Sequence, residues 1–446
     1  MTAHRRKILI VLAIGLTAAA ATVASTALAR GSSGQTLTIW SYDNQNPGLE
    51  PVLQKLSKNF EASHPGVKIT LVFKDFTSLT QTVGRALQSG KGPDVTEGNQ
   101  GFQTDGQLVR AKLILPLDKY SAKYHWSRWY GGGTAAQFRW SADGKHYGTG
   151  QLYGVAQAGQ HVAVFYNASK LRQLGIKPAT ALSSLSNFEA ALATARAKLP
   201  TSEPILMLGN KEGYDAPYVA MNIVGSLGKA AAVRNWIFHN GAANINTSTT
   251  IRAFSTLETW AKKGYLPADA NALAESDAVS NFAKGQGVFS IEGVWYAAII
   301  KSGLKGAAGV AAMPPAKAGG QHASIGSTSG PWHISSKTKN PDLAAAWLNY
   351  VISSPTAVKL MYGQQQIPAI LGATAPKGDP FLSQLVASWT LLNKQNGLLL
   401  YADWASPTML QTITQNLQKM LGGRATPSDV AKAMQDDWAK FNGTLH

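Results

Sequence analysis

Four segments near the start of the chain alternate in period, and that alternation constrains the fold more than any residue count. Leu37-Thr38-Ile39-Trp40 is an apolar stretch of strand length. Residues 49–63 place Leu49, Val52, Leu53, Leu56 and Phe60 at three- and four-residue spacing, the stripe of an amphipathic helix. His64-Pro65-Gly66 stops it. Residues 67–73 then alternate as a strand does, and Leu79, Val83, Ala86 and Leu87 return to helical spacing. Strand and helix in turn at this pace predict α/β units on a largely parallel sheet. The pattern resumes with a strand at 162–166, a helix at 188–199 and a strand at 205–208. Helices then dominate, at 216–227, 249–263 and 277–284. Asn340-Pro341-Asp342 has the chemistry of a helix start, with Asn able to cap, Pro suited to the first turn and Asp suited to the dipole. Leu343, Ala346, Trp347 and Val351 give that helix one apolar face before Pro355. Gly131-Gly132-Gly133 and residues 317–320 read as loops.

The first 29 residues read as a cleaved export signal. Arg5, Arg6 and Lys7 precede the apolar run 8–14, and Ala27-Leu28-Ala29 offers signal peptidase a small-x-small site, making Arg30 the expected mature N-terminus. An uncleaved anchor is the alternative for 8–29, a stretch long enough to span a bilayer. The chain has no Cys, which rules out disulfides, thiolate metal sites, a Cys nucleophile and attachment through a lipidated Cys. The length left after the signal exceeds what one core usually serves, so two lobes are expected.

Formal charge is +17. Removing Arg5, Arg6 and Lys7 leaves about +14, a balance that can signal nucleic acid. Here the bases are dispersed, with no run beyond Lys262-Lys263 after the signal, and no nucleic-acid partner is expected. Contact with an acidic cell envelope accounts for the charge better, with an anionic ligand as the lesser alternative.

Several spaced motifs then coincide. Gly92-Pro93-Asp94-Val95, Gly106-Gln107-Leu108 and Leu115-Pro116-Leu117-Asp118 are followed by Tyr153-Gly154-Val155, Phe165-Tyr166-Asn167 and Leu174-Gly175-Ile176. Residues 282–288 lead to Ile291-Glu292-Gly293-Val294-Trp295, and then come Asn340-Pro341-Asp342-Leu343-Ala344 and Ile367-Pro368-Ala369. In order and spacing, from about residue 36 to the end, this series resembles the extracellular sugar-binding proteins of ABC importers (maltose/multiple-sugar-binding-like). Ala156 stands where that family usually has Pro. The resemblance implies a two-lobed α/β fold of the periplasmic-binding-protein type, with discontinuous lobes joined by three hinge crossings. Projected onto this chain, lobe one takes 35–155 and 323–353, and lobe two takes 157–320 and 355–446. The crossings then fall near 155–157, 320–323 and 353–355. The implied function is a monomeric, non-catalytic receptor that closes on a sugar or oligosaccharide and delivers it to an ABC permease, without cofactor or metal.

A saccharide offers apolar C–H faces to aromatic rings and hydroxyls to carboxylates and amides. Among the twelve Trp, Trp295 matches the family's sugar-stacking position, although a core Trp at a helix start would look the same. Tyr42 and Asp43 follow the first strand, where open sheets present ligand loops; the same residues also suit a turn. Asn99 and Gln100 match a polar contact of the family, and Gln100 can equally cap a helix at 101–110. Trp332, beside His333, and Trp404, beside Tyr401, are further aromatic candidates. Glu292 would accept hydroxyl hydrogen bonds. Gln157, Gln160, His161, Glu212 and Tyr214 are weaker candidates, and Asp94 is assigned to the framework.

Two other classes compete. A secreted glycosidase needs two carboxylates across a sugar, and Asp43, Glu97, Glu212 and Glu292 could supply them. Yet acids number 24 in 446 residues, and no catalytic pair motif, nucleophile elbow, phosphate loop or His-Glu-x-x-His is present. A wall-adhesion module would show repeats, and none is visible.

Overall fold

The computed structural model describes residues 34–45, 48–130 and 132–445. The expected export signal lies outside the described residues. The strands are β1 (Gln35–Ser41), β2 (Val67–Phe73), β3 (Val95–Glu97), β4 (Arg139–Trp140), β5 (Gln151–Leu152) and β6 (Ala158–Asn167). Then follow β7 (Leu206–Met207), β8 (Phe289–Gly293), β9 (Ala308–Ala311), β10 (Gly326–Thr328), β11 (Trp332–Ile334) and β12 (Ile367–Pro368).

The chain forms two α/β lobes, each built on its own sheet. The first sheet runs β11-β3-β1-β2, with β1 parallel to β2 and β3, and β11 antiparallel on the β3 edge. Leu37 and Ile39 of β1 point into a core shared with Leu49, Val52, Leu53, Leu56 and Phe60 of helix Leu49–Ser63, the stripe read from spacing. Full burial of each such side chain stabilises by roughly 1.5–3 kcal/mol. Asp94 ties this sheet together, its carboxylate accepting from the Thr38 amide at 2.9 Å and from the Thr338 hydroxyl.

The second sheet is built round β6, which pairs antiparallel with β8, β9, β10 and β12; only β7 and β8 run parallel. The largely parallel expectation therefore holds for the first sheet alone. Strands gathered from distant segments, without a βαβ crossover between neighbours, have no obligation to run parallel.

Strand pairing also moves two of the projected crossings. Val155 bridges Trp332 and Ala158 opens β6, so the chain first changes sheet at 155–158. It returns between Thr328 and Trp332, because β10 bonds β6 whereas β11 bonds β3; residues 323–328 therefore belong to the second sheet, against the projected return at 320–323. The third change comes after Gly363, not at 353–355. Pro355 starts another helix, with the Ser354 hydroxyl accepting from the Ala357 amide at 3.0 Å. Ala357 and Met361 of that helix join the first core before β12 reaches β6.

Two local expectations also change. The Asn340 side chain makes no cap bond, although Pro341 opens the helix as read and Asp342 accepts from the Tyr120 hydroxyl at 2.7 Å. Gly132 starts a short helix to Ala136 instead of a loop. Among the described residues, no helix is long and apolar enough to cross a membrane.

Candidate functional site

The carboxyl ends of β1 and β3 build one wall of a cleft between the lobes. The Ser41 hydroxyl and the Tyr42 amide both donate to Glu97 Oε2, at 2.6 and 2.8 Å, and the Asp43 amide donates to Ser41 Oγ at 3.0 Å. This knot fixes Tyr42 and Asp43 at the cleft surface while Glu97 stays behind it. Gly330 is required here, since a Cβ at that position would overlap the Tyr42 hydroxyl. Gln100 donates to the Ser329 carbonyl at 3.0 Å. Asn99 reaches across to the other lobe and donates to Asp403 Oδ2 at 2.9 Å.

The opposite wall comes from the end of β8 and from helix Asp215–Leu227. Trp295 sits in the turn 294–296, partly exposed, with its ring edge-on to Tyr218 at 5.8 Å. A Cβ on Gly293 would fall within the Trp295 indole, so the glycine lets the ring fold back across the strand end. Tyr401 lies 5.3 Å from Trp404, and Phe76 meets Tyr214 edge-on at 6.4 Å, the latter pair again joining the lobes. The cleft contains about 1110 Å³ of empty space including its open mouth.

Six candidates from the sequence, Tyr42, Asp43, Asn99, Gln100, Trp295 and Trp404, line this one cleft, as do the weaker Gln160 and Tyr214. Trp404 contributes little surface, being 1% exposed. Trp332 does not reach the cleft: it is fully buried in the first core, edge-on to Trp347 at 5.5 Å, because β11 turns its ring inward. Glu292 does not reach the cleft either. It is buried within β8, its Oε2 accepting from the Gly293 amide at 2.9 Å. His161 is buried against the Ser388 hydroxyl at 2.8 Å, and burial pushes its pKa down to about 3. Gln157 is buried at the first crossing, and Glu212 accepts from the Glu275 amide at 3.0 Å. Phe76, Tyr218, Tyr296 and Glu275 line the cleft without having been singled out. Tyr218 lay within a helix whose face the sequence does not orient, and Glu275 lay just before one.

The cleft is strongly acidic. Burial raises the Asp43 carboxyl to about 7, against the hydrogen bonds of Ser41 and Glu97, and burial, then the charge of Asp43, holds Glu97 well above the usual carboxylate range. On the other wall, burial takes Asp215 to about 7. Burial, and then the charge of Asp215, also holds Glu275 and Glu292 well above the usual range. One oxygen from each of these three lies within 4.8 Å of the others, a spacing that a divalent cation or shared protons can bridge. Burial also lifts Asp403 to about 6, opposed by the Asn99 bond. Of the four carboxylates weighed for glycoside hydrolysis, only Asp43 lines the cleft.

The model of the family described as bacterial extracellular solute-binding protein matches residues 44–358. The chain belongs to that family. Solved structures agree on the fold of this solute-binding protein. One described as a chitin oligosaccharide binding protein superposes with TM-score 0.78 at 20% identity, covering 93% of this chain and 100% of the other. The GacH receptor of Streptomyces glaucescens, described unliganded and with acarbose, gives TM-score 0.71 at 20% identity, covering 92% and 99%. RafE in complex with raffinose gives 0.70 at 18%, covering 91% and 99%. No curated protein sequence matches this solute-binding protein.

Proposed function

We propose that this solute-binding protein is the exported receptor of an ABC importer for a sugar or oligosaccharide, and that it is a binder without catalytic activity. The observation that carries this reading is the cleft between the lobes, lined by eight aromatic rings and by carboxylates and amides. Rings pack on sugar C–H faces while the polar groups take hydroxyls. The saccharides named for the similar structures support the same class. The three changes of sheet would serve as the hinge, at 155–158, 328–332 and 363–367, with each lobe moving as a body. Ligand touching both walls favours the closed arrangement through contacts available only there. The family's description as extracellular supports export, and the absence of Cys from the chain favours retention by some means other than a lipidated Cys. The protein acts as a monomer, its positive charge holding it near an acidic envelope.

A thermal-shift screen over mono-, di- and oligosaccharides tests the reading. A ligand at ~100 times its Kd adds about 2.7 kcal/mol, and small-angle scattering should show compaction with the same compound. The bound sugar should be recovered unchanged after long incubation. Steady release of a hydrolysis product would make the protein an enzyme instead.

A further inference from the structure

The electrostatics of the cleft oppose those of the chain. The protein carries a formal charge of +17, yet among the described residues no Lys, Arg or His lines the cleft, whereas Asp43, Glu275 and Asp403 do. Three more carboxyls, Glu97, Asp215 and Glu292, stand buried behind those surface groups. We propose that the ligand is a basic saccharide, one bearing a protonated amine held between the aromatic rings and the Asp43 and Glu275 carboxylates. This rests on the saccharide-receptor reading and specifies its substrate class.

Three observations converge. Asp43 lines the cleft at 2% exposure, and its carboxyl faces that of Glu97, so that the two share a hydrogen bond. Asp215 and Glu292 pair in the same way, carboxyl to carboxyl, with no Lys, Arg or His of the described residues between them. Buried carboxyls crowded in this way hold protons for want of a counter-charge, and a ligand ammonium supplies that charge together with hydrogen-bond donors. The rings suit the same group, because the faces of Trp295, Tyr42 and Tyr218 attract a cation as well as sugar C–H bonds. Finally, the global charge repels cations, so affinity for one must arise within the cleft. An acidic sugar finds no cationic partner there and meets like charge instead.

The test compares glucosamine oligosaccharides with their N-acetylated counterparts of equal length, alongside neutral gluco-oligosaccharides and oligogalacturonides, by calorimetry at pH 7. The amine series should bind at least tenfold more tightly than the acetylated one, and oligogalacturonides should not bind. Glu275→Gln, Asp43→Asn and Asp403→Asn, made separately and checked for folding by circular dichroism, should shrink that preference, with at least one of the first two abolishing it. Equal or tighter binding of the acetylated or neutral series overturns the amine assignment and leaves the saccharide reading intact. A preference that survives all three substitutions also overturns it. So does a site that takes Ca²⁺ alone and then favours neutral sugars. If no saccharide of any series binds, the saccharide reading falls and this assignment with it.

Discussion

Trp295 and Trp332 have the same side chain and opposite situations. Trp295 is partly exposed at the cleft, resting over Gly293, whereas Trp332 is sealed in the first core against Trp347. Trp295→Ala should therefore weaken saccharide binding by about 1–3 kcal/mol, on the scale of a truncated aromatic contact, and leave the melting temperature nearly unchanged. Trp332→Ala should instead cost about 3–5 kcal/mol of stability, read by denaturant unfolding. Gly293→Ala should behave like the first, since its Cβ displaces the far end of the indole and not the backbone. Such pairs mark the limit of what sequence tells at this scale. Both Trp follow glycine-containing stretches, and only the direction of the strand end decides which ring faces solvent. Tyr42, Asp43, Asn99 and Gln100 were legible because loops after parallel strands gather at one edge. Tyr218 and Glu275 were not, because they reach the cleft from helices whose rotation depends on tertiary packing.

At the scale of elements, periodicity placed the helices it read to within a few residues, as with residues 49–63, which became Leu49–Ser63, and 249–263, which became Ser248–Lys262, but it left helices such as Pro380–Lys394 and Met409–Leu421 unread. The second sheet was harder to read, because β9, β10 and β12 join β6 across long sequence separations that leave no local signal. Asp94 shows how one side chain holds such separated pieces, accepting from Thr38 in β1 and from Thr338 after β11. Asp94→Ala leaves two donors seeking partners and should destabilise by about 1–3 kcal/mol. Urea unfolding checks this, and the loss should come with little change in ligand affinity, because Asp94 does not line the cleft.

For the whole molecule, the buried carboxyls set the direction of its response to pH. Asp43 and Asp215, at about 7 when folded, and Asp403, at about 6, keep protons that the unfolded chain releases near its reference value of 3.8. Between about pH 4 and 7 the native state therefore binds more protons than the unfolded state, and stability falls as pH rises. The oppositely shifted Asp75 and Asp342 lose their contribution only below the usual carboxylate range. Melting temperature should accordingly be lower at pH 8 than at pH 5, and Asp43→Asn should flatten part of that slope. A melting temperature that rises across the window would contradict these proton affinities.

The late return of the chain to the first sheet bears on the order in which the protein can fold. Its first core is incomplete until β11, the helix Pro341–Ser353 and the helix Pro355–Gly363 have been added to strands laid down before residue 100. A nascent chain shorter than about four-fifths of the full length leaves the β3 edge open and the Trp332 and Trp347 positions empty. Native contacts so far apart in sequence slow folding, because loop closure must precede their reward. For a chain of an extracellular family, such late completion would keep the polypeptide threadable through a translocation pore until about four-fifths of it has been made.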